Sequence, residues 1–407
     1  MEKLFTLTDT VFPVPARFRG RLSRDVAELS RLLTSARGER GASYLGRSAM
    51  LTAYLRCFLP WNVYRLVRLL SSLPLNVADG DTISDLGSGP LTLPIALWIA
   101  RPELRPLRLV FRCVDRTQTV LEAGKKLFAA LTSPDGAAPA FPETAWTVKT
   151  TRGDILHYGR RGGRETAPLD GKAGGRAGLV CAVNVYNELF WDIPHSDSRT
   201  LSSFAGQEAR RLTEIAADGA SILVVEPGVP RSGEFISFLR DALAASGRPV
   251  VSPCTHGGPC PFPGGRGGRT GEKRKWCHFA FDVNGAPKKL RALSAAAGIP
   301  REKTVLSFLF AAGPSRDAAG APADTEKPGA SDDRRIAVRV LSDKFPVTEK
   351  NALFGRYGCC ALGAVLLTGT GREMDAAPPG TLLRCDPPAR ERRDGKSGAL
   401  ILDWRAG

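Results

Sequence analysis

The sequence predicts an α/β protein: a doubly wound, mostly parallel sheet with helices on both faces, preceded by a helical segment and followed by a small β-rich domain. Three observations carry that reading. From about residue 80 to residue 312, short apolar runs alternate with Ala/Leu-rich helical stretches, which is the rhythm of βαβ units. Residues 20–75 instead place apolar residues three and four apart, the helical period. Residues 313–334, GPSRDAAGAPADTEKPGASDDR, lack apolar periodicity and read as a linker.

Each element follows in order. RLSRDVAELSRLLTSARGE and AMLTAYLRCFLPWNVYRLVRLLSSL predict amphipathic helices with arginine on their other faces, forming a region of residues 1–78. The sheet-bearing domain, residues 79–312, has strands at TISDLG (82–87), LRLVFRCVD (107–115), TAWTVKT (144–150), GLVCAVN (178–184) and ASILVVEPG (220–228). Helices are predicted at LTLPIALWIA, TVLEAGKKLFAALTS, SSFAGQEARRLTEIAADG and residues 231–247. The runs HFAFDV and TVLSFLFAAG read as hairpin-like strands that end the sheet. A cysteine-rich insertion, 251–282, lies between them and the fifth strand. In residues 335–407, IAVRVLSD, GAVLLTG, TLLRCD and ALILDW predict the β-domain.

At 407 residues, 43% hydrophobic and 24% charged, the chain has the composition of a soluble globular protein. No apolar run approaches the roughly 18 residues of a membrane span, so no membrane partner is expected. The N-terminus, MEKLFTLTDTVFPVP, carries Glu2 and Asp9 and resembles neither a secretory signal nor a transit peptide. These features predict a cytoplasmic, bacterial-type location without a targeting segment, where thiols stay reduced and a structural disulfide is not expected. A net charge of +16 favours a polyanionic partner.

The first chemical signal is 83-ISDLGSGPLTLPIAL-97, a strand, an acidic residue, a Gly-x-Gly turn and a helix. Gly87 and Gly89 supply unusual torsions and let a ligand approach backbone, and the helix after them offers free N–H groups. Asp115 closes the next strand, where a carboxylate takes ribose hydroxyls. Asp154 follows the third strand at a position suited to an adenine amino group. Asn184 closes the fourth strand and Glu226 the fifth. Any one of these side chains could be a helix cap; in succession they line the crevice where this architecture binds ligands. The loop has neither the phosphate-loop lysine nor the third glycine of a dinucleotide fingerprint. Asp85-Leu86-Gly87-Ser88-Gly89-Pro90 resembles the first motif of class I S-adenosylmethionine-dependent methyltransferases, with Asp115, Asp154 and Asn184 at the later motif positions. That resemblance implies a Rossmann-like methyltransferase fold and S-adenosylmethionine as cofactor, bound by Asp85, Gly87, Ser88, Gly89, Asp115, Asp154 and Asn184.

After strand four the chain reads Asn184-Val185-Tyr186-Asn187, without the paired prolines that shape the acceptor loop of many amino-methylating relatives. Cys181 lies inside the strand, where a buried structural thiol is expected. Asn184 and Tyr186 are the candidates for a catalytic role, and loss of catalysis with retained cofactor binding stays open.

The second signal is CTHGGPC followed by WCHF. Cys254 and Cys260 converge in a Gly/Pro turn, and Cys277 follows a basic, glycine-rich excursion, 264-GGRGGRTGEKRKW-276. Three thiolates call for a fourth ligand, which His256, His278 or a cysteine of 355-GRYGCCALG-363 could supply. The spacing fits zinc and iron–sulfur about equally and is not that of radical enzymes. The excursion adds Arg266, Arg269, Lys273, Arg274 and Lys275, a basic loop suited to phosphates.

The combination DLGSGPLTLPIALW, VNVYNELF, VVEPG, PCTHGGPCPFP and WCHF resembles the small-ribosomal-subunit methyltransferase-like family, comprising mitochondrial small-subunit assembly factors and their bacterial relatives. The resemblance covers roughly residues 40–312 well and the C-terminal domain loosely. It implies a four-cysteine site, similar in the mitochondrial branch to a [4Fe–4S] centre, with zinc as the alternative. It places Cys254, Cys260 and Cys277 as the first three ligands and Cys359, in a Cys-x-x-x-Gly context, as the fourth, with Cys360 as the alternative. The long excursion departs from the family pattern. A ligand set split between 254–277 and 359 would act as a clasp across the linker, because metal binding is coupled to folding. Two functions follow as expectations: an rRNA methyltransferase acting on the small ribosomal subunit or its precursor, or a catalytically inactive assembly or translation factor that binds the same RNA. A zinc-stabilised methyltransferase of another substrate fits the charge less well.

Overall fold

A computed structural model describes residues 1–39, 48–133, 144–158, 176–267, 272–273, 275–313, 335–348 and 353–405. Along the chain it has helices α1 (Glu2–Val11), α2 (Ala16–Arg19), α3 (Leu22–Leu33), α4 (Ser48–Ala53) and α5 (Leu59–Leu70), with a π-helical turn, Tyr54–Phe58, joining the last two. There follow β1 (Thr82–Leu86), α6 (Thr92–Ala100), β2 (Val110–Asp115), α7 (Gln118–Thr132), β3 (Thr147–Arg152), β4 (Ala177–Val183) and α8 (Tyr186–Leu189). Next come α9 (Ser198–Ile215), β5 (Ala216–Pro227), α10 (Pro230–Ala245), β6 (Val250–Ser252), β7 (Arg266–Gly267), β8 (Glu272–Lys273), β9 (Phe279–Asp282), α11 (Lys288–Ala296) and β10 (Lys303–Ala311). The last stretch holds β11 (Ile336–Val340), β12 (Phe345–Thr348), β13 (Leu353–Cys360), β14 (Gly363–Thr370), α12 (Gly371–Ala376), β15 (Leu382–Cys385) and β16 (Leu400–Asp403). The chain forms two compact units, residues 1–191 with 214–217 and 281–304, and residues 192–213 with 218–280 and 305–407.

In the first unit, β3, β2, β1 and β4 lie side by side in that order and all parallel. β4 is AGLVCAV, a near-continuous apolar run, as expected of a strand covered on both faces. Connections from β1 leave toward β2 on one side, and β4 lies on the other. The carboxyl end of β1 is therefore a topological switch point, where a crevice opens. The N-terminal helices have their own core, in which Val26, Leu29, Trp61 and Tyr64 pack with Val283 and Leu290 around α11. Helix α1, which the sequence reading passed over, buries Leu4, Phe5, Leu7 and Thr8. Trp146, just before β3, is 1% exposed and packs on Trp98 and Phe111 at ring separations of 5.1 and 4.9 Å.

In the second unit, β10 runs antiparallel between β5 and β6, with β9 also paired to β10. The order 3-2-1-4 in the first unit and 5-10-6 with a reversed β10 in the second is the strand succession of a Rossmann-like, class I methyltransferase fold. The second unit also holds a six-stranded sheet, β15-β11-β13-β14-β16 with β12 on β13. Its core gathers Val338, Val340, Cys360, Val365, Leu367, Leu400 and Leu402. Four of its strands sit where alternating apolar residues predict them; β12 and β13 were not foreseen.

Candidate functional site

Gly87 and Gly89 follow β1 with φ of +71° and +55°, and Leu91, at the start of α6, is also left-handed at +56°. This turn forms one wall of a cleft at the carboxyl ends of the strands. Gly87, Ser88, Gly89, Asp115, Asp154 and Asn184 all line it. Asp85 does not: it is 1% exposed beneath the loop, its Oδ2 accepting a 2.5 Å hydrogen bond from the Ser88 hydroxyl. Asp115 ties the loop to β2, accepting from the Gly89 N–H at 3.0 Å and the Thr117 N–H at 2.9 Å. Asp154 accepts from the Leu156 N–H at 2.9 Å, so it also caps its own turn. A Cβ built on Gly89 would meet only the Thr92 hydroxyl, at 3.9 Å. The loop backbone is thus open to a ligand, and the donor and acceptor set fits a nucleoside with a charged tail.

Register places Asp85 between Cys113 on β2 and Cys181 on β4. Burial pushes the Asp85 carboxyl up to about 7, opposed by the Ser88 hydrogen bond and reinforced by the Asp115 charge. Burial likewise raises Cys113 and Cys181 far above an ordinary thiol, so Cys181 is a protonated core residue and no nucleophile. A carboxyl whose native pKa is raised binds its proton more tightly folded than unfolded. Its contribution to stability is full below the ordinary carboxyl range and is lost as pH rises through about 7. The stability of wild type minus that of Asp85→Asn, both without cofactor, should fall by on the order of 4 kcal/mol between pH 4 and pH 8. Parallel pH profiles in urea denaturation would refute this assignment.

Asn184 ends β4 at φ +56°. Its Oδ1 accepts a 2.7 Å hydrogen bond from Arg65 of α5, which also donates to Asn62 at 2.8 Å. Tyr186, the other catalytic candidate, is fully buried and is not among the residues lining the cleft. Sequence reading missed Tyr54, Asn62 and Glu188, which line the cleft. Tyr54 and Asn62 come from the N-terminal helices, and no local pattern marks them. Glu226 lies in the second unit and is fully buried in β5.

Four of the cysteines border a separate hollow in the second unit. Cys254, Cys260, Cys277 and Cys359 line it together. Cys359 and Cys360 are neighbours on β13, and alternation sends them to opposite faces. Cys359 borders the hollow while Cys360, 0% exposed, belongs to the apolar core of the six-stranded sheet. His256 borders the hollow too; His278 does not, stacking on Trp276 instead. Burial pushes the Cys359 thiol up to about 12, with Cys254, Cys260 and Cys360 adding to the shift and Arg339 opposing it. Among the described residues, no group of three or more His, Cys, Asp or Glu side chains is gathered closely enough to hold a metal ion. Four thiols around one pocket are nonetheless the donor chemistry an iron–sulfur centre requires. Of the basic excursion, Arg269 and Arg274 lie outside the described residues, and only the backbone pairing of Arg266 with Lys273 is described. Lys275 is committed to the Tyr357 ring, 3.5 Å from its centroid.

Residues 198–345 match the family model of the mitochondrial small ribosomal subunit protein Rsm22. That span holds Cys254, Cys260 and Cys277 and ends before Cys359. Its mitochondrial description conflicts with the bacterial-type attribution drawn from the sequence, which rested on N-terminal acidic residues that carry no record of source. No curated protein matches the chain. Among solved structures it is similar to a methyltransferase from Pyrococcus furiosus, at 8% identity, 63% of this chain, 83% of that one and a TM-score of 0.33. It is also similar to a variant of the 16S rRNA (adenine(1408)-N(1))-methyltransferase from Catenulisporales acidiphilia with cosubstrate SAM, at 16% identity, 63% and 92% coverage and a TM-score of 0.31. Among the described residues no helix is long and apolar enough to cross a membrane.

Proposed function

We propose that the chain is an S-adenosylmethionine-binding, methyltransferase-like protein of the small ribosomal subunit, and that Cys254, Cys260, Cys277 and Cys359 hold a [4Fe–4S] cluster. The observation that carries the first part is the gathering of Gly87, Ser88, Gly89, Asp115, Asp154 and Asn184 in one cleft. In this reading the Gly87 to Gly89 turn lets the cofactor approach backbone closely, Asp115 takes the ribose hydroxyls and Asp154 the adenine amine. Bound there, the cofactor supplies an electrophilic methyl group. Asn184 would orient an acceptor beside it. The Rsm22 match and the +16 charge support a small-subunit RNA partner.

A second reading, a factor that binds cofactor and RNA without turnover, is favoured by Arg65. Its guanidinium already holds one of the two lone pairs of the Asn184 carbonyl oxygen, the atom an acceptor amine would need, and so weakens it as an acceptor. Mass spectrometry of small-subunit rRNA from a deletion strain separates the two. A methyl group missing there and restored by the wild-type gene supports transfer, and an unchanged methylation pattern alongside defective subunits supports the second reading. Calorimetry that detects no S-adenosylmethionine binding would overturn both. Anaerobically purified protein with zinc and no iron or sulfide would overturn the cluster.

A further inference from the structure

Arg240 borders the four-thiol hollow and Arg339 acts on its thiols from β11, and neither is spent on an acidic partner alone. Arg240 of α10 is 4% exposed. Its Nε donates to the Cys254 sulfur at 3.2 Å, and one Nη donates to the carbonyls of His256 and Gly258 at 2.9 and 2.7 Å. Its other Nη meets Asp241, whose carboxylate is largely exposed. The turn that carries Cys254 and Cys260 is thus wound around a single guanidinium. Arg339 of β11 stands opposite Cys359 in the antiparallel register with β13, a pairing that puts both side chains on one face. Its Nε donates to the carbonyl of Pro253, the residue before Cys254, at 3.0 Å, and an Nη donates to the Gly380 carbonyl at 2.8 Å. Its charge acts on Cys359, Cys254 and Cys277.

Resting on the cluster reading above, we infer that Arg240 and Arg339 are positioning residues that form a cationic shell around the cluster and set its reduction potential. A cluster held by four thiolates is anionic and gains one more negative charge on one-electron reduction. Nearby cations and hydrogen bonds to ligand sulfur stabilise the reduced form more than the oxidised one and so raise the potential. Burial of Arg240 strengthens the effect, because little solvent screens it. The same arginine also holds the ligand turn in place, so it slows the loss of iron.

The test is a dye-mediated redox titration of full-length protein purified without oxygen, with dithionite as reductant and the cluster followed by its electron paramagnetic resonance signal. Arg240→Gln should favour the oxidised form by at least tenfold at fixed potential, about 59 mV downward for one electron, and should release iron faster in air. Arg240→Lys keeps the charge but loses the fork of donors; it should move the potential less than Gln yet lose iron as fast. Arg339→Gln, which touches no sulfur, should lower the potential through charge alone. If Arg240→Gln fails to assemble a cluster, the Arg240→Lys and Arg339→Gln potentials decide. Potentials equal to wild type in the variants that hold a cluster would overturn the inference while leaving the ligand set intact. Wild-type protein without iron and sulfide would instead overturn the cluster reading, and this inference with it.

Discussion

Cys359→Ser should bring the iron and sulfide of anaerobically purified protein down to background, while Cys360→Ser should leave both at the wild-type level. The contrast follows from one strand. β13 puts Cys359 against Cys254, Cys260 and Cys277 and its neighbour among Val338, Val365 and Leu402. Serine at 359 removes the thiolate that iron requires, and the remaining three, set on a Gly/Pro turn and a short strand approach, leave one corner open. Serine at 360 places a hydroxyl in an apolar core, which costs about 1–3 kcal/mol in stability, read as a lower Tm with iron unchanged. The opposite pattern, iron lost at 360 and kept at 359, would reassign the fourth ligand. All four cysteines belong to the second unit, so the proposed clasp would operate within that unit, tying the segment 254–277 to β13. Removing the metal with a chelator should therefore lower the Tm of Cys360→Ser as well, and leave Cys359→Ser unaffected.

How much of this was legible depended on the kind of signal. β4 announced itself because burial on both faces makes it apolar throughout. β13 did not, since LFGRYGCC carries two glycines and an arginine. The structure supplies the reason: a Cβ at Gly355 would meet the Val347 side chain at 2.7 Å, and one at Gly358 the Arg339 carbonyl at 2.8 Å. Close packing in the middle of the sheet demanded residues that a propensity reading counts against a strand. The sequence could bring Gly87, Ser88, Gly89, Asp115, Asp154 and Asn184 to one cleft because each ends or follows a strand at a fixed place in the topology. It could not bring Tyr54 and Asn62 there, because they reach the cleft from helices more than twenty residues upstream by tertiary packing alone. Arg240 and Arg339 escaped for the same reason: an arginine in a helix or strand has no local mark that distinguishes a buried contact from a solvated charge.

Gly87→Ala should abolish S-adenosylmethionine binding in calorimetry and destabilise the first unit by about 2 kcal/mol or more. Two costs add at this position. Its φ of +71° is one that a Cβ disfavours by about 1–2 kcal/mol. Its Cβ would also stand 2.4 Å from Val185 Cγ2 and 2.8 Å from Val185 Cβ, in a strand end with little freedom to retreat. Val185 follows Asn184, itself left-handed and held by Arg65, so relief at Val185 would displace the residue assigned to the acceptor. Gly89→Ala supplies the control. Its φ of +55° is similarly strained, but its Cβ meets no atom closer than 3.9 Å, and it faces the cleft. That variant should fold within about 1–2 kcal/mol of wild type and still bind cofactor far more weakly, because the new methyl group stands where the ligand must approach backbone. Double replacement of Gly87 by Ala and Val185 by Ala should recover part of the stability lost in Gly87→Ala, since the clash with Val185 Cγ2 goes while the contact with its Cβ and the strained torsion stay. Failure of Val185→Ala to restore any of it would locate the cost of Gly87→Ala in the backbone torsion and the Cβ contact.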